Sequence, residues 1–274
     1  MEHSVEQGMA YSDDELIEFE AHGASLPAGG TPFVVETGGA TIHGVRFGHG
    51  PPVILLHGGM GHGGNFAHQV PALLGAGFSA IVIDSRGHGR STRDSRPYSY
   101  WLLADDVRAV MDTLGIPKAA IVGWSDGADT GLVLAHDTPE RVSSLLFFAC
   151  NVDDSGTLPF EMTPVIGRCI ARHQLDYQAL SATPEDFDAF AEAVGKMQRT
   201  EPDYSADDLA AIRVPVLSVL GEHDEFIRRS HAGYIAQAIP GAQFVLLKGV
   251  SHFAPLQRPD VFNAVMLDWL QAGA

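Results

Sequence analysis

Cysteines, basic side chains and long apolar runs are all scarce in this chain. Two cysteines, Cys150 and Cys169, are too few for a disulfide framework, so we expect reduced, buried thiols and a cytoplasmic protein. The 17 lysines and arginines face 34 aspartates and glutamates, and the net charge of −17 repels nucleic acid and anionic membranes. No apolar run is long enough to span a membrane, and residues 1–6 lack the basic and apolar regions of a signal peptide. We therefore expect no nucleic-acid or membrane partner, and the oligomeric state stays open.

What the chain does contain is a regular alternation of strand-like and helix-like runs, with enough apolar residues for one large core. Apolar runs separated by amphipathic helices predict a mostly parallel α/β sheet covered on both faces. Before them, a hairpin through Gly38-Gly39 and a short helix over 12–21, with Ser12 and Glu15 at capping-box spacing, are expected. The predicted strands are 33–36, 40–47, 53–56, 79–84, 119–123, 143–149, 214–220 and 243–247, and the predicted helices of the core are 64–75, 100–114, 127–136, 229–238 and 260–271.

The alternation breaks between residues 151 and 211, where helical patterns at 160–174 and 184–199 replace strands. We interpret this stretch as a helical cap inserted into the core. The predicted organisation is an N-terminal extension over 1–32, a core over 33–150 and 212–274, and a cap over 151–211. Apolar side chains of the cap, including Phe160 and Met162, are candidates for lining a substrate pocket.

A serine lies at a predicted strand-to-helix turn in the sequence Gly-Trp-Ser-Asp-Gly at 123–127. Such a serine adopts a strained backbone conformation with positive φ, and flanking glycines leave room for the bend. The bend exposes the Ser125 hydroxyl at the end of the sheet, as in a nucleophile elbow.

A base and a carboxylate follow later strands in the expected order. Asp224 follows the predicted strand 214–220, and His252 follows 243–247. Carboxyl ends of parallel strands share one sheet edge, so we expect Ser125, His252 and Asp224 to act as nucleophile, base and orienting acid. Asp153 and Asp154 are the alternative acids. His223 finds no second histidine at ligand spacing, so no metal is expected.

A further turn, His57-Gly58-Gly59-Met60-Gly61, follows the apolar run 53–56. Small residues there allow a backbone N–H to approach a substrate carbonyl. We expect an oxyanion hole formed by the N–H of Asp126 and that of Gly59 or Met60, and the choice between the last two stays open.

From about residue 33 onwards these turns resemble the α/β-hydrolase superfamily, and the elbow sequence resembles that of biphenyl-hydrolase-like and valacyclovirase-like serine esterases. The resemblance implies that His57 braces the oxyanion loop and that the Asp126 side chain lies near the amino group of aminoacyl substrates. Trp124, Asp126, Phe160 and Met162 are the candidate substrate contacts.

The predicted activity is hydrolysis of a small-molecule carboxylic ester or lactone through an acyl-enzyme, without a cofactor. The substrate could carry an amine or be a macrocyclic lactone of the macrolide type. Two alternatives stay open: a carbon–carbon bond hydrolase of the same fold, and a ligand-sensing receptor with little turnover.

Overall fold

One sheet of eight strands organises residues 16–273, the part of the chain that the computed structural model describes. The strands are β1 (Thr31–Thr37), β2 (Ala40–Phe47), β3 (Pro52–Leu56), β4 (Ser79–Ile83), β5 (Ala119–Trp124), β6 (Val142–Phe148), β7 (Val216–Gly221) and β8 (Gln243–Leu247). Their order across the sheet is β1-β2-β4-β3-β5-β6-β7-β8. Strand β2 pairs antiparallel with β1 on one side and with β4 on the other, whereas β3 to β8 are mutually parallel. The predicted α/β architecture is therefore confirmed.

Ten α-helices accompany the strands in the same described range. They are α1 (Ile17–His22), α2 (Gln69–Gly75), α3 (Tyr100–Thr113), α4 (Asp126–Asp137), α5 (Pro164–Leu180), α6 (Phe187–Thr200), α7 (Ala206–Ala211), α8 (Arg229–Ala238), α9 (Ala254–Gln257) and α10 (Pro259–Ala272). None of the described helices is long and apolar enough to cross a bilayer.

The central strands of the sheet are buried on both faces, and successive side chains of a strand point to opposite faces. In β3, Ile54 and Leu56 join one apolar cluster, and Val53 and Leu55 join the other. Helices α3 and α4 contribute to the first cluster, and α2 and α10 contribute to the second. This arrangement explains the unbroken apolar runs of the central strands.

Helices α5, α6 and α7 lie between β6 and β7 and form the helical insertion (residues 151–211). The prediction of a helix from residue 160 is wrong, because α5 begins at Pro164. The Thr163 side chain accepts a hydrogen bond from Ile166 N at 3.2 Å, and a proline suits the first helical position. Residues 160–163 are consequently not helical.

Other elements also differ from the predictions. The helix expected over 64–75 is divided into a 3₁₀ turn at Gly63–Phe66 and α2, because glycines at 63 and 64 disfavour an α-helix. Helix α7 was not predicted, although Ser205 and Asp208 form a capping box at its start. Of the helix expected over 12–21, Ser12 and Glu15 lie outside the described residues.

Candidate active site

Ser125 lies at the sharp turn between β5 and α4, with φ of 53° and ψ of −123°. Its amide donates to Phe148 O at 2.9 Å, which fixes the turn against the neighbouring strand. The glycines on either side are sterically required. A Cβ on Gly127 would lie 2.0 Å from Leu56 O, and one on Gly123 would lie 2.4 Å from Gly127 O. The strained backbone of a non-glycine residue at this turn is the geometry expected of an elbow.

His252 and Asp224 come together beyond the ends of β8 and β7. His252 Nδ1 lies 3.0 Å from Asp224 Oδ2. The second carboxylate oxygen of Asp224 accepts the amides of Phe226 at 2.9 Å and Ile227 at 2.8 Å, so the carboxylate is held in one orientation. The alternative acid Asp153 instead accepts the amide of Ser155 at 2.8 Å, in an exposed turn.

The environment of His252 keeps its ring buried and close to negative charge. Burial lowers its pKa, but the carboxylates of Asp224 and Glu225 more than offset burial, so the pKa lies above the ordinary 6.5. The ring packs edge-on against Phe226, with centroids 4.7 Å apart, and lies 6.2 Å from the ring of Trp124. A ring that donates through Nδ1 to a carboxylate keeps Nε2 available to accept a proton.

The loop after β3 is folded tightly beside the elbow. Gly61 N donates to Gly58 O at 3.1 Å, and Met60 adopts a left-handed conformation with φ of 61°. A Cβ on Gly58 would lie 3.2 Å from Ser125 Cβ, which shows how closely the loop approaches the serine. Backbone strain at Met60, a non-glycine residue, is the kind that functional loops retain.

His57 anchors this loop through both ring nitrogens. Nε2 accepts the amide of Ser85 at 3.0 Å, so Nδ1 carries the proton and donates to Gly58 O at 2.8 Å. Burial lowers the pKa of His57 to about 4, which keeps the ring neutral. The ring is thus fully occupied in bracing the loop.

A cavity of about 300 Å³ connects these parts. Ser125, His252, Gly59, Met60 and Asp126 all line it. Apolar side chains from the helical insertion and the β7–α8 loop complete much of its wall. They include Phe160, Ile166, Ile170 and Phe226.

The candidate substrate contacts divide into two groups. Trp124, Asp126 and Phe160 line the cavity, and Phe160 is 61% exposed beside the ring of Phe226. Met162 is 60% exposed and is not among the residues that line the cavity. The non-helical start of the insertion carries Met162 out to the surface, so a substrate contact for it is not supported.

Asp126 has neutral partners rather than a cation among the described residues. Its carboxylate accepts hydrogen bonds from Tyr100 Oη at 3.0 Å and from Gln198 Nε2 at 3.0 and 3.1 Å. Burial raises the pKa of this carboxyl, although both hydrogen bonds oppose the shift. Sequence reasoning missed Tyr100 and Gln198 because each comes from a different helix, and no local motif marks them.

Comparison with known proteins places the chain among hydrolases. Serine hydrolase BPHL of Mus musculus is 27% identical over 251 residues, covering 86% of this chain and 85% of that protein. The 2-hydroxy-6-oxononadienedioate/2-hydroxy-6-oxononatrienedioate hydrolase 2 of Pseudomonas putida is 27% identical over 255 residues, covering 80% and 87%. The structure of Est816, described as an N-acyl homoserine lactone degrading enzyme, has a TM-score of 0.68 and 28% identity, covering 85% of this chain and 98% of that one.

The family assignment agrees with the parallel sheet, the strained serine at the β5–α4 turn and the histidine after the last strand. A model of the alpha/beta hydrolase fold matches residues 51–196, which is more than half of the 274 residues. The chain therefore belongs to the alpha/beta hydrolase fold family and is a hydrolase of that fold.

Proposed function

We propose that this hydrolase cleaves a carboxylic ester or lactone with Ser125 as nucleophile, His252 as base and Asp224 as orienting acid. The observation that carries the proposal is that Ser125, at its strained turn, lines the same cavity as His252. His252 Nδ1 in turn lies 3.0 Å from Asp224 Oδ2. A serine hydroxyl needs such a base to become nucleophilic, and the base needs a carboxylate to hold its tautomer.

In the proposed reaction, neutral His252 takes the proton of Ser125 as the oxygen attacks the carbonyl carbon. The amide of Asp126 and that of Gly59 or Met60 stabilise the developing oxyanion, and each donor contributes about 2.7–4 kcal/mol. His252 then gives the proton to the departing alcohol. Water, activated by the same ring, releases the acid from Ser125. No cofactor enters these steps.

The cavity supports a medium-sized, mostly apolar group beside the scissile bond. Its volume of about 300 Å³ is at the lower end of the range for ligand pockets. A second cavity, of about 580 Å³, shares Asn151, Thr157 and Gln198 with the first. This adjoining space would receive a bulky leaving group or the remainder of a large ring, and it therefore favours a macrocyclic lactone as a second candidate substrate.

Asp126 supports an amine on the substrate. The carboxylate is buried, and within residues 16–273 only the neutral Tyr100 and Gln198 hydrogen-bond to it. An ammonium group would supply the missing countercharge, and a hydrogen bond to a charged group contributes about 1.5–3 kcal/mol. Esters with an amine should be preferred over matched neutral esters by about tenfold or more, and Asp126→Asn should remove the preference.

The test of the proposed function combines covalent labelling with turnover. A fluorophosphonate probe should label the wild-type chain at Ser125, identified by mass spectrometry, and the label should disappear in Ser125→Ala. The matched control is Ser155→Ala, which removes an exposed serine hydroxyl that donates to the Asp153 carboxylate. A panel of nitrophenyl esters and lactones then measures turnover in the same three proteins.

The outcomes distinguish the alternatives. Multiple turnovers on esters that vanish in Ser125→Ala support the proposal. Turnover of vinylogous diketones with none on esters would identify a carbon–carbon bond hydrolase. Ligand binding with a single slow turnover would identify a sensor. Labelling that persists in Ser125→Ala contradicts the proposed nucleophile.

A further inference from the structure

Two polar side chains deep in the cavity lack a protein partner for one of their atoms. Asn65 is 1% exposed, His173 is 5% exposed, and both line the cavity that contains Ser125. Among the described residues, Asn65 Nδ2 and His173 Nδ1 have no hydrogen-bond partner. The indole N–H of Trp124, in the same cavity, is also unpartnered. Unpaired buried polar groups are rare in folded proteins and need a reason.

The orientation of the Asn65 amide follows from its other contact. Its Oδ1 accepts the backbone N–H of His62 at 3.0 Å, and an amide nitrogen could not accept there. His62 and Asn65 form a capping box at the start of the 3₁₀ turn, and the His62 side chain also accepts the amide of Gly64 at 3.1 Å. The NH₂ group of Asn65 is therefore the unpartnered end, and it offers two donors.

His62 connects Asn65 to the helix that carries His173. His62 Nε2 lies 3.6 Å from Asp176 Oδ2, and Asp176 follows His173 by three residues on α5. Residues three apart share one face of a helix. Asn65 and His173 therefore approach the cavity from two elements that meet at His62.

The chemistry of this pair suits an uncharged oxygen. Burial lowers the pKa of His173 to about 3, so the ring is neutral and its free Nδ1 can donate or accept. The Asn65 amide is neutral and donates. No lysine or arginine among the described residues lines this cavity, so an anionic group would find no basic countercharge there. A carbonyl or hydroxyl oxygen can pair with both residues and needs no countercharge.

We propose that Asn65 and His173 form a specificity subsite that binds a carbonyl or hydroxyl oxygen carried by the substrate, separate from the scissile carbonyl. The inference rests on the proposed ester hydrolysis and names its substrate class more closely: oxo- or hydroxy-substituted esters or lactones. A site built to hydrogen-bond an oxygen rejects the analogue that lacks it, because the polar groups of the site then stay unpaired.

The kinetic test compares nitrophenyl hexanoate with its 4-oxo and 5-oxo derivatives. The enzymatic rate of each ester is divided by the rate at which hydroxide hydrolyses the same ester, so that differences in intrinsic reactivity cancel. At least one oxo ester should exceed the parent in kcat/KM by about tenfold or more in the wild type. His173→Phe keeps a ring against Phe19, and Asn65→Asp keeps an oxygen for His62 N but loses the donor. In both variants, the kcat/KM of the oxo ester divided by that of the parent ester should be close to one. His68→Phe, at an exposed site, should leave the wild-type ratio.

A binding measurement separates this inference from the proposed function. Ser125→Ala binds intact ethyl 5-oxohexanoate, ethyl 4-oxohexanoate and ethyl hexanoate without turning them over, and calorimetry compares the affinities. Tighter binding of an oxo ester supports the subsite even if Ser125 proves not to be the nucleophile. Hydrolysis of all three nitrophenyl esters at equal rates, or equal affinities in Ser125→Ala, overturns the subsite while leaving the ester hydrolysis intact.

Discussion

Replacing Asp224 by asparagine tests the proposed triad most sharply, because the structure dictates how the new amide must lie. One carboxylate oxygen of Asp224 accepts the amides of Phe226 and Ile227 at 2.9 and 2.8 Å. An asparagine oxygen must keep that position, since the NH₂ group cannot accept two N–H donors. The NH₂ group then faces His252 Nδ1, where the other carboxylate oxygen lies at 3.0 Å in the wild type.

The consequence is a change of tautomer at nearly constant geometry. His252 Nδ1 must accept from the new amide, so the ring proton moves to Nε2 and blocks the atom that should receive the serine proton. Loss of the correct tautomer in a serine triad lowers kcat by about 10⁴, or about 5.5 kcal/mol of transition-state stabilisation. We expect Asp224→Asn to fold normally and to lose activity by that order.

The assay is steady-state hydrolysis of a nitrophenyl ester, with thermal unfolding to verify the fold. The matched control is Asp153→Asn, because Asp153 was the rival acid and its carboxylate caps an exposed turn at Ser155. This control should stay within about twofold of the wild type, since surface changes of this kind have small effects. If Asp224→Asn keeps more than a tenth of the activity, or Asp153→Asn loses it, the assignment of the acid is wrong.

Three further predictions concern pH, packing at the elbow and a buried ion pair. The kcat/KM of the wild type should fall in acid with a midpoint above 6.5, because neighbouring carboxylates raise the pKa of His252 and only the neutral ring accepts a proton; a rate that stays flat down to about pH 4 contradicts this base. Gly127→Ala places a Cβ about 2.0 Å from Leu56 O, so fluorophosphonate labelling should drop even where circular dichroism finds a folded chain, and undiminished labelling would refute the steric argument. Arg86→Met leaves Asp106 buried without the two hydrogen bonds of 2.6 and 2.8 Å that it accepts from Arg86. Urea unfolding should show that the free energy of unfolding falls by about 3–5 kcal/mol. A fall of less than about 1 kcal/mol would show that the pair contributes little.

The sheet and the elbow were predictable because their signals are local. A positive φ at Ser125 follows from the glycines around it, and the unbroken apolar runs of the central strands follow from burial on two faces. The place of His252 after the last parallel strand was also readable, since strand ends share one edge of the sheet. The sequence could not reveal whether Ser125, Asp224 and His252 react together, and their roles stay predictions.

The cavity wall was less predictable because it depends on how the helical insertion docks onto the core. Gln198 reaches Asp126 from α6, and His173 enters from α5, although neither residue belongs to a motif. The start of α5 does have a local signal in the sequence, because Thr163 followed by a proline marks a helix start. The capping box at Ser205 would likewise have revealed α7.

Helix α1 has a consequence for how this protein can be shortened. The ring of Phe19 lies 5.5 Å from that of His173, and Glu20 Oε2 lies 2.7 Å from Arg168 Nε, so α1 supports α5 from behind. A fragment trimmed to start at residue 31 would retain Ser125 and all eight strands. Its selectivity among substrates should nevertheless fall before its catalytic activity does, because α1, which would be missing, packs against the helix that carries His173.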